Sequence, residues 1–149
     1  MGNCLICNKI DMIKRGVNPY FVAELKTGFV VMGDHQYFEG YTLFLCKQHK
    51  TELHELPDDL KQTFLLEMSR VAEAVYRAFS PDKLNYELLG NRDAHLHWHI
   101  FPRRLTELNP RKPVACTPPE IMFADSARPG EEHLKELKRK LSVALQSLQ

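Results

Sequence analysis

No stretch of this 149-residue chain approaches the run of about 18 apolar residues that a membrane-spanning helix needs. The opening MGNCLICNKIDMIKRG has neither a long apolar core nor a small-residue cleavage site, which argues against a secretory signal. Position 6, where a myristoylation pattern starting at Met1-Gly2 requires Ser or Thr, is Ile6. Charge of one sign is also missing: 20 Lys and Arg against 19 Asp and Glu leave a net charge of +1. Bulk attraction to nucleic acid or to an anionic membrane is therefore not expected. Cysteines are few, four in all, and without an export signal we expect a cytoplasmic, reducing location where structural disulfides are rare. A second C-x-x-C pair, an internal repeat and a low-complexity run are all lacking.

What is present reads as a globular chain. Hydrophobic content of 44% and charged content of 26% are ordinary for a folded domain, so wholesale disorder is excluded. YFVAELKTGFVVMG predicts two strands, Tyr20–Leu25 and Phe29–Met32, around a Lys26-Thr27-Gly28 turn. Residues 40–46, GYTLFLC, predict a third strand. Residues 58–79 predict a helix, because Leu60, Phe64, Leu65, Met68, Val71, Ala72, Val75, Tyr76 and Phe79 draw one stripe at helical spacing. Strands follow at 84–90 and 95–101. The Pro-rich stretch 103–129 has no clear period and reads as a long loop. A second helix is predicted over 130–148 from Glu131 and Glu132 in its first turn and a seam of Leu134, Leu137, Leu141, Leu145 and Leu148. The expected fold is α+β: an antiparallel sheet of about five strands, one long helix packed on it, and a C-terminal helix that packs back or meets a partner. The matching division is 1–104 as the catalytic part, 105–129 as the Pro-rich loop and 130–149 as the tail helix.

Three of the seven histidines fall at alternate positions in HLHWHIF: His95, His97 and His99. Side chains alternate faces along a strand, so the three share one face, about 6.6 Å apart, while Leu96, Trp98 and Ile100 anchor the other. Aligned imidazoles suit a metal or an anionic substrate. Cys4-Leu5-Ile6-Cys7 is a half-site by itself, open to a redox pair, half a zinc clamp or coincidence.

HLHWHI, preceded by CLIC at 4–7, GYTLFLCKQH at 40–49, LHELPDDL at 53–60 and NYELLGN at 85–91, resembles the histidine triad (HIT) family. The resemblance implies an α+β fold, a homodimer and a nucleotide hydrolase or transferase, with His97 as the nucleophile and His99 beside it. Independently, a neutral imidazole is a competent nucleophile toward an α-phosphate, and its second nitrogen should donate to a backbone carbonyl. The resemblance also implies a zinc on Cys4, Cys7, His49 and His95. Four protein ligands leave no open position, so that zinc would be structural.

The phosphate pocket departs from the family pattern. The Gly-Gln or Gly-Ser that often precedes the triad is absent. Asn91 is the best available polar group there, ahead of Arg92 and Asp93, and Asn85 matches the family's strand asparagine. The ribose position falls on Gly33, with Asp34 one residue on. Arg103 and Arg104, with Arg111 and Lys112, make the following loop locally basic, either to attract a polyphosphate or as a solvated surface. The expected substrates are dinucleoside polyphosphates such as diadenosine tetraphosphate, or nucleotide conjugates. The alternatives are transfer to phosphate or a sugar phosphate, and a zinc-stabilised binding module without catalysis. The balanced charge and the lack of zinc-finger spacing argue against a nucleic-acid reader.

Overall fold

The computed structural model describes residues 4–148. The reading of Met1-Gly2 and the end of the tail segment at Gln149 lie outside them. The chain runs α1 (Leu5–Lys14), β1 (Phe21–Glu24), β2 (Gly28–Met32), β3 (Thr42–Cys46), α2 (Asp58–Phe79), β4 (Lys83–Glu87), β5 (His97–Arg103), α3 (Pro119–Met122) and α4 (Glu131–Gln146). The five strands form one antiparallel sheet in the order β1-β2-β3-β5-β4. This is the α+β fold expected from the sequence. Among the described residues no helix is long and apolar enough to cross a membrane.

Helix α2 forms where the apolar stripe predicts it. Asp58 and Asp59 complement its N-terminal dipole. It stops at Ser80, which adopts a left-handed conformation with its N–H on the Tyr76 carbonyl. Its buried face, Phe64, Val71, Ala74 and Val75, packs on one side of the sheet against Val30, Met32, Phe44 and Ile100. Leu137, Leu141 and Leu145 of α4 join the same core, so the tail helix packs back on its own chain.

Glu67 is the polar member of α2's buried face. Its carboxylate accepts the N–H groups of Lys26 and Thr27, both at 2.9 Å, and the Thr27 hydroxyl. A helix side chain thereby holds the β1–β2 turn.

The opposite face of the sheet is covered differently. Ile6 and Ile10 of α1 pack on Phe29, Val31, Leu43 and Leu45. The sequence reading placed no helix at 5–14. The 103–129 stretch holds only short turns and α3, and Phe38, Phe101 and Val114 form a small separate cluster under it.

Strand β5 begins at His97, two residues later than expected. His95 lies in the bend before it, with its N–H on the Asp93 carbonyl at 2.8 Å. The histidines therefore separate: one belongs to the bend, two to the strand.

Candidate functional site

Four metal-ligating side chains meet at one end of the sheet. Cys4 is the N-cap of α1, and its Sγ accepts the N–H of Cys7 at 3.3 Å. The C-x-x-C spacing thus puts both sulfurs at a helix start. His49 follows β3 and His95 precedes β5. These strands are antiparallel neighbours, with Leu45 opposite His97, so the two histidines arrive at the same end.

The candidate ligand atoms of Cys4, Cys7, His49 and His95 all lie within 4.8 Å of one another. Sγ to Nδ1 distances are 3.5 Å for Cys4–His95, 3.2 Å for Cys7–His49 and 3.5 Å for Cys7–His95. Zinc bonds of about 2.3 Å to sulfur and 2.0 Å to nitrogen at tetrahedral angles give an S···N edge of about 3.5 Å, so these three edges match a tetrahedral ion's shell. Burial, then the hydrogen bond and charge of Cys4, pushes the Cys7 thiol up. A cation held between the two sulfurs would offset their mutual repulsion as thiolates. His95 donates its Nε2–H to the Cys46 carbonyl at 2.8 Å, which leaves Nδ1 as the ligand atom. Burial holds its imidazole below the ordinary range, hence neutral, as a ligand must be.

His97 is buried, and its Nδ1 lies 2.5 Å from the backbone carbonyl of His95. A carbonyl only accepts, so Nδ1 carries the proton and neutral His97 keeps its lone pair on Nε2. His99 is its neighbour, with ring centroids 4.6 Å apart. Leu43 stands opposite His99 on β3 and Glu87 on β4, and Asn85 stands opposite Phe101, so these side chains share the histidine face. Burial, then the charge of His97, pushes His99 down to about 4. Its Nδ1 is 2.6 Å from Tyr41 Oη.

The remaining expected residues fall as follows. Asn85 Oδ1 accepts from Arg103 Nη1 at 2.7 Å, which orients the amide and leaves Nδ2 as a donor. Asp34 pairs with Lys9 of α1 at 2.7 Å. Asn91 is exposed in the β4–β5 turn, and its side chain makes no hydrogen bond among the described residues. Arg103 belongs neither to a solvated basic loop nor to a polyphosphate site. It is buried under the loop, bonded to Glu107, Asn85 and the carbonyls of Asn109 and Lys112, with its guanidinium over the Phe38 ring. Arg104 likewise spends its guanidinium on the Glu39 and Phe79 carbonyls. Arg103 ties the loop to the sheet, and Arg104 ties its start to the end of α2 and the β2–β3 connection.

Tyr41 and Glu87 reach the histidine face without any mark in the sequence. The only signal is parity: Tyr41 is in phase with Leu43 and Leu45, and that places it beside His99 only once β3 is known to pair with β5.

The family model for the HIT domain matches residues 20–106, more than half of the chain. The chain belongs to the HIT domain family. His49, His95, His97 and His99 of this HIT domain lie inside the match, whereas Cys4 and Cys7 precede it. The adenosine 5'-monophosphoramidase HNT1 of Saccharomyces cerevisiae is 26% identical over 108 residues, covering 68% of this chain and 63% of the yeast protein. The chain thus spans under two thirds of that relative's length. A histidine triad protein from Marinobacter aquaeolei VT8 superposes with a TM-score of 0.74 at 25% identity, covering 87% of this chain and 90% of its own. A Zn-bound histidine triad family protein from Mycobacterium smegmatis shares the fold at a TM-score of 0.67 and 22% identity, over 98% and 95% of the two chains.

Proposed function

We propose that this HIT domain hydrolyses nucleotides at the α-phosphate through a nucleotidyl-histidine on His97. The observation that carries the reading is the Nδ1–H of His97 on the His95 carbonyl. It presents the Nε2 lone pair as nucleophile and holds the second ring proton while positive charge develops. In the first step the Nε2–P bond forms and the bond from phosphorus to the leaving group breaks, the electron pair leaving with the departing atom. In the second, water attacks phosphorus and gives up a proton to solvent, the P–N bond breaks, and the pair returns to Nε2 as the nucleoside monophosphate departs. His99 stands beside the phosphate, where charge stabilisation acts.

Asn85 donates Nδ2–H toward the phosphate, Asn91 contacts it from the turn, and Asp34, oriented by Lys9, accepts from the ribose hydroxyls. The substrate class is a dinucleoside polyphosphate such as diadenosine tetraphosphate, or a nucleotide conjugate. The yeast relative, a monophosphoramidase by name, supports the conjugates.

Cys4, Cys7, His49 and His95 hold a structural zinc. The cluster's S2N2 donor set and edge lengths support this choice, as does the Zn-bound neighbour. When bound, the ion would offset the two thiolates and cross-link α1 to the end of β3 and the start of β5. A cytoplasmic homodimer completes the reading.

The test is mass spectrometry of the intact protein mixed with a panel of dinucleoside polyphosphates and nucleoside phosphoramidates. A nucleotidyl adduct mapped to His97 is expected, and His97→Asn should lose it together with turnover, by about 10³-fold or more. Full hydrolysis by His97→Asn would refute the mechanism.

A further inference from the structure

The geometry points to Tyr41 as a positioning residue whose hydroxyl donates to Nδ1 of His99 and so places that ring's single N–H on Nε2, available to the phosphate. The catalytic consequence rests on the nucleotidyl chemistry proposed above; the proton assignment itself does not.

The ring of Tyr41 is seated on three sides. It stacks on Phe101 with centroids 4.2 Å apart and planes 7° from parallel. It lies within 9° of parallel to His99. Its third neighbour is Gly33, where a Cβ would fall 2.1 Å from Tyr41 Cδ1. The missing side chain at 33 is what admits the ring. The backbone is fixed as well: Gly33 N–H donates to the Tyr41 carbonyl at 2.8 Å, and Tyr41 N–H to the Phe38 carbonyl at 2.9 Å. The hydroxyl therefore meets Nδ1 at 2.6 Å by construction of the sheet.

Two proton arrangements fit that contact. Both groups are neutral at pH 7, because burial, with Asp34 and Glu87 adding to it, pushes Tyr41 far above its ordinary range, and burial holds His99 far below its own. If Nδ1–H donated to Oη, the phenolic proton of this half-buried ring would have no acceptor among the described residues. If O–H donates to Nδ1, both groups are satisfied and Nε2 carries the proton. The adjacent imidazoles then hold opposite tautomers. His97 is locked by a carbonyl to present a lone pair, and His99 is locked by a phenol to present a donor. Attack at phosphorus needs one of each: a nucleophile, and a donor for the charge gathering on the phosphoryl oxygens.

The experiment is long-range 1H–15N NMR of the histidine rings at pH 7, alongside steady-state kinetics of wild type, Tyr41→Phe and Gly33→Ala. In the wild-type protein His99 should show a protonated Nε2 and a bare, hydrogen-bonded Nδ1. Tyr41→Phe keeps the stacking and removes the donor. It should broaden His99 into a tautomer mixture and lower kcat by about tenfold or more while KM stays within about twofold. Gly33→Ala keeps the hydroxyl but displaces the ring, and should reproduce the NMR signature. A wild-type His99 protonated on Nδ1 overturns the inference whatever the variants do. So does a Tyr41→Phe enzyme with wild-type kcat that still forms the His97 adduct. Absence of the adduct in wild type, with the expected His99 tautomer, would sink the nucleotidyl mechanism and leave the Tyr41 assignment standing.

Discussion

Removing the proposed zinc should unfold α1 while sparing the core. An isolated helix of this length must overcome nucleation, which at a constant of about 10⁻³ costs about 4 kcal/mol. Against that, Ile6 and Ile10 are each 4% exposed and return about 2–3 kcal/mol apiece. The Lys9–Asp34 pair is partly exposed and contributes under about 1 kcal/mol. These contributions leave about 0–3 kcal/mol in favour of the helix, so without an ion the arm is marginal. A bound structural zinc adds about 10 kcal/mol in small peptides, more than enough to decide the matter. The assay is hydrogen-exchange mass spectrometry before and after chelation, with metal content checked by elemental analysis. Peptides covering 8–14 should lose about 10³-fold or more of their protection, whereas those from Phe64 to Val75 of α2 should change little. If α1 stays equally protected in verified metal-free protein, its own packing holds it and the clamp has no structural role.

Other perturbations test other parts of the argument. Glu67→Gln turns amide hydrogens toward the donors of the β1–β2 turn; the loss should be about 3 kcal/mol, or about 6–12 °C in Tm by calorimetry, and a shift under about 2 °C would contradict the cap. His99 is depressed from 6.5 to about 4, so the unfolded chain binds its proton first. Its contribution is therefore whole above pH 6.5 and fades as pH falls toward 4, by about 3 kcal/mol at most. Denaturation midpoints of wild type and His99→Gln should converge over that window, and parallel curves would disprove the shift. Arg103→Met removes the guanidinium's bonds to Glu107, Asn109 and Lys112 and should raise the proteolytic sensitivity of the 105–112 loop while costing about 3–5 kcal/mol; unchanged cleavage would show that its other bonds, such as Leu105 N–H to Asp82, hold the loop.

The long helix was legible because its apolar residues repeat at helical spacing over six turns, and its bounds in the structure match the expected 58–79. The two-residue lag of β5 was not, because the bend at His95 is imposed from outside the strand by the Cys46 carbonyl and the thiols. Helix α1 escaped notice for a related reason. Its apolar stripe amounts to Ile6, Ile10 and Ile13, too short to stand out, and the cysteines drew the reading toward ligation instead. Arg103 shows the limit from the other side. Its partners come from β4 and from three positions in an aperiodic loop, so nothing local distinguishes this buried guanidinium from the exposed Arg111 nearby. The metal quartet was within reach because a resemblance supplied the distant partners, whereas Tyr41 required the β3–β5 register itself.

His95 performs two tasks with two different parts of itself: the imidazole faces the thiols, and the peptide oxygen receives the proton of His97. A peptide oxygen is common to all twenty residue types. Replacing the side chain at 95 can thus remove the proposed ion ligand while leaving in place the atom that orients the proposed nucleophile, and any damage to turnover must then arise from movement of the main chain. Anchorage and reactivity are separable at a single position, so a designer could rebuild one without rewriting the other.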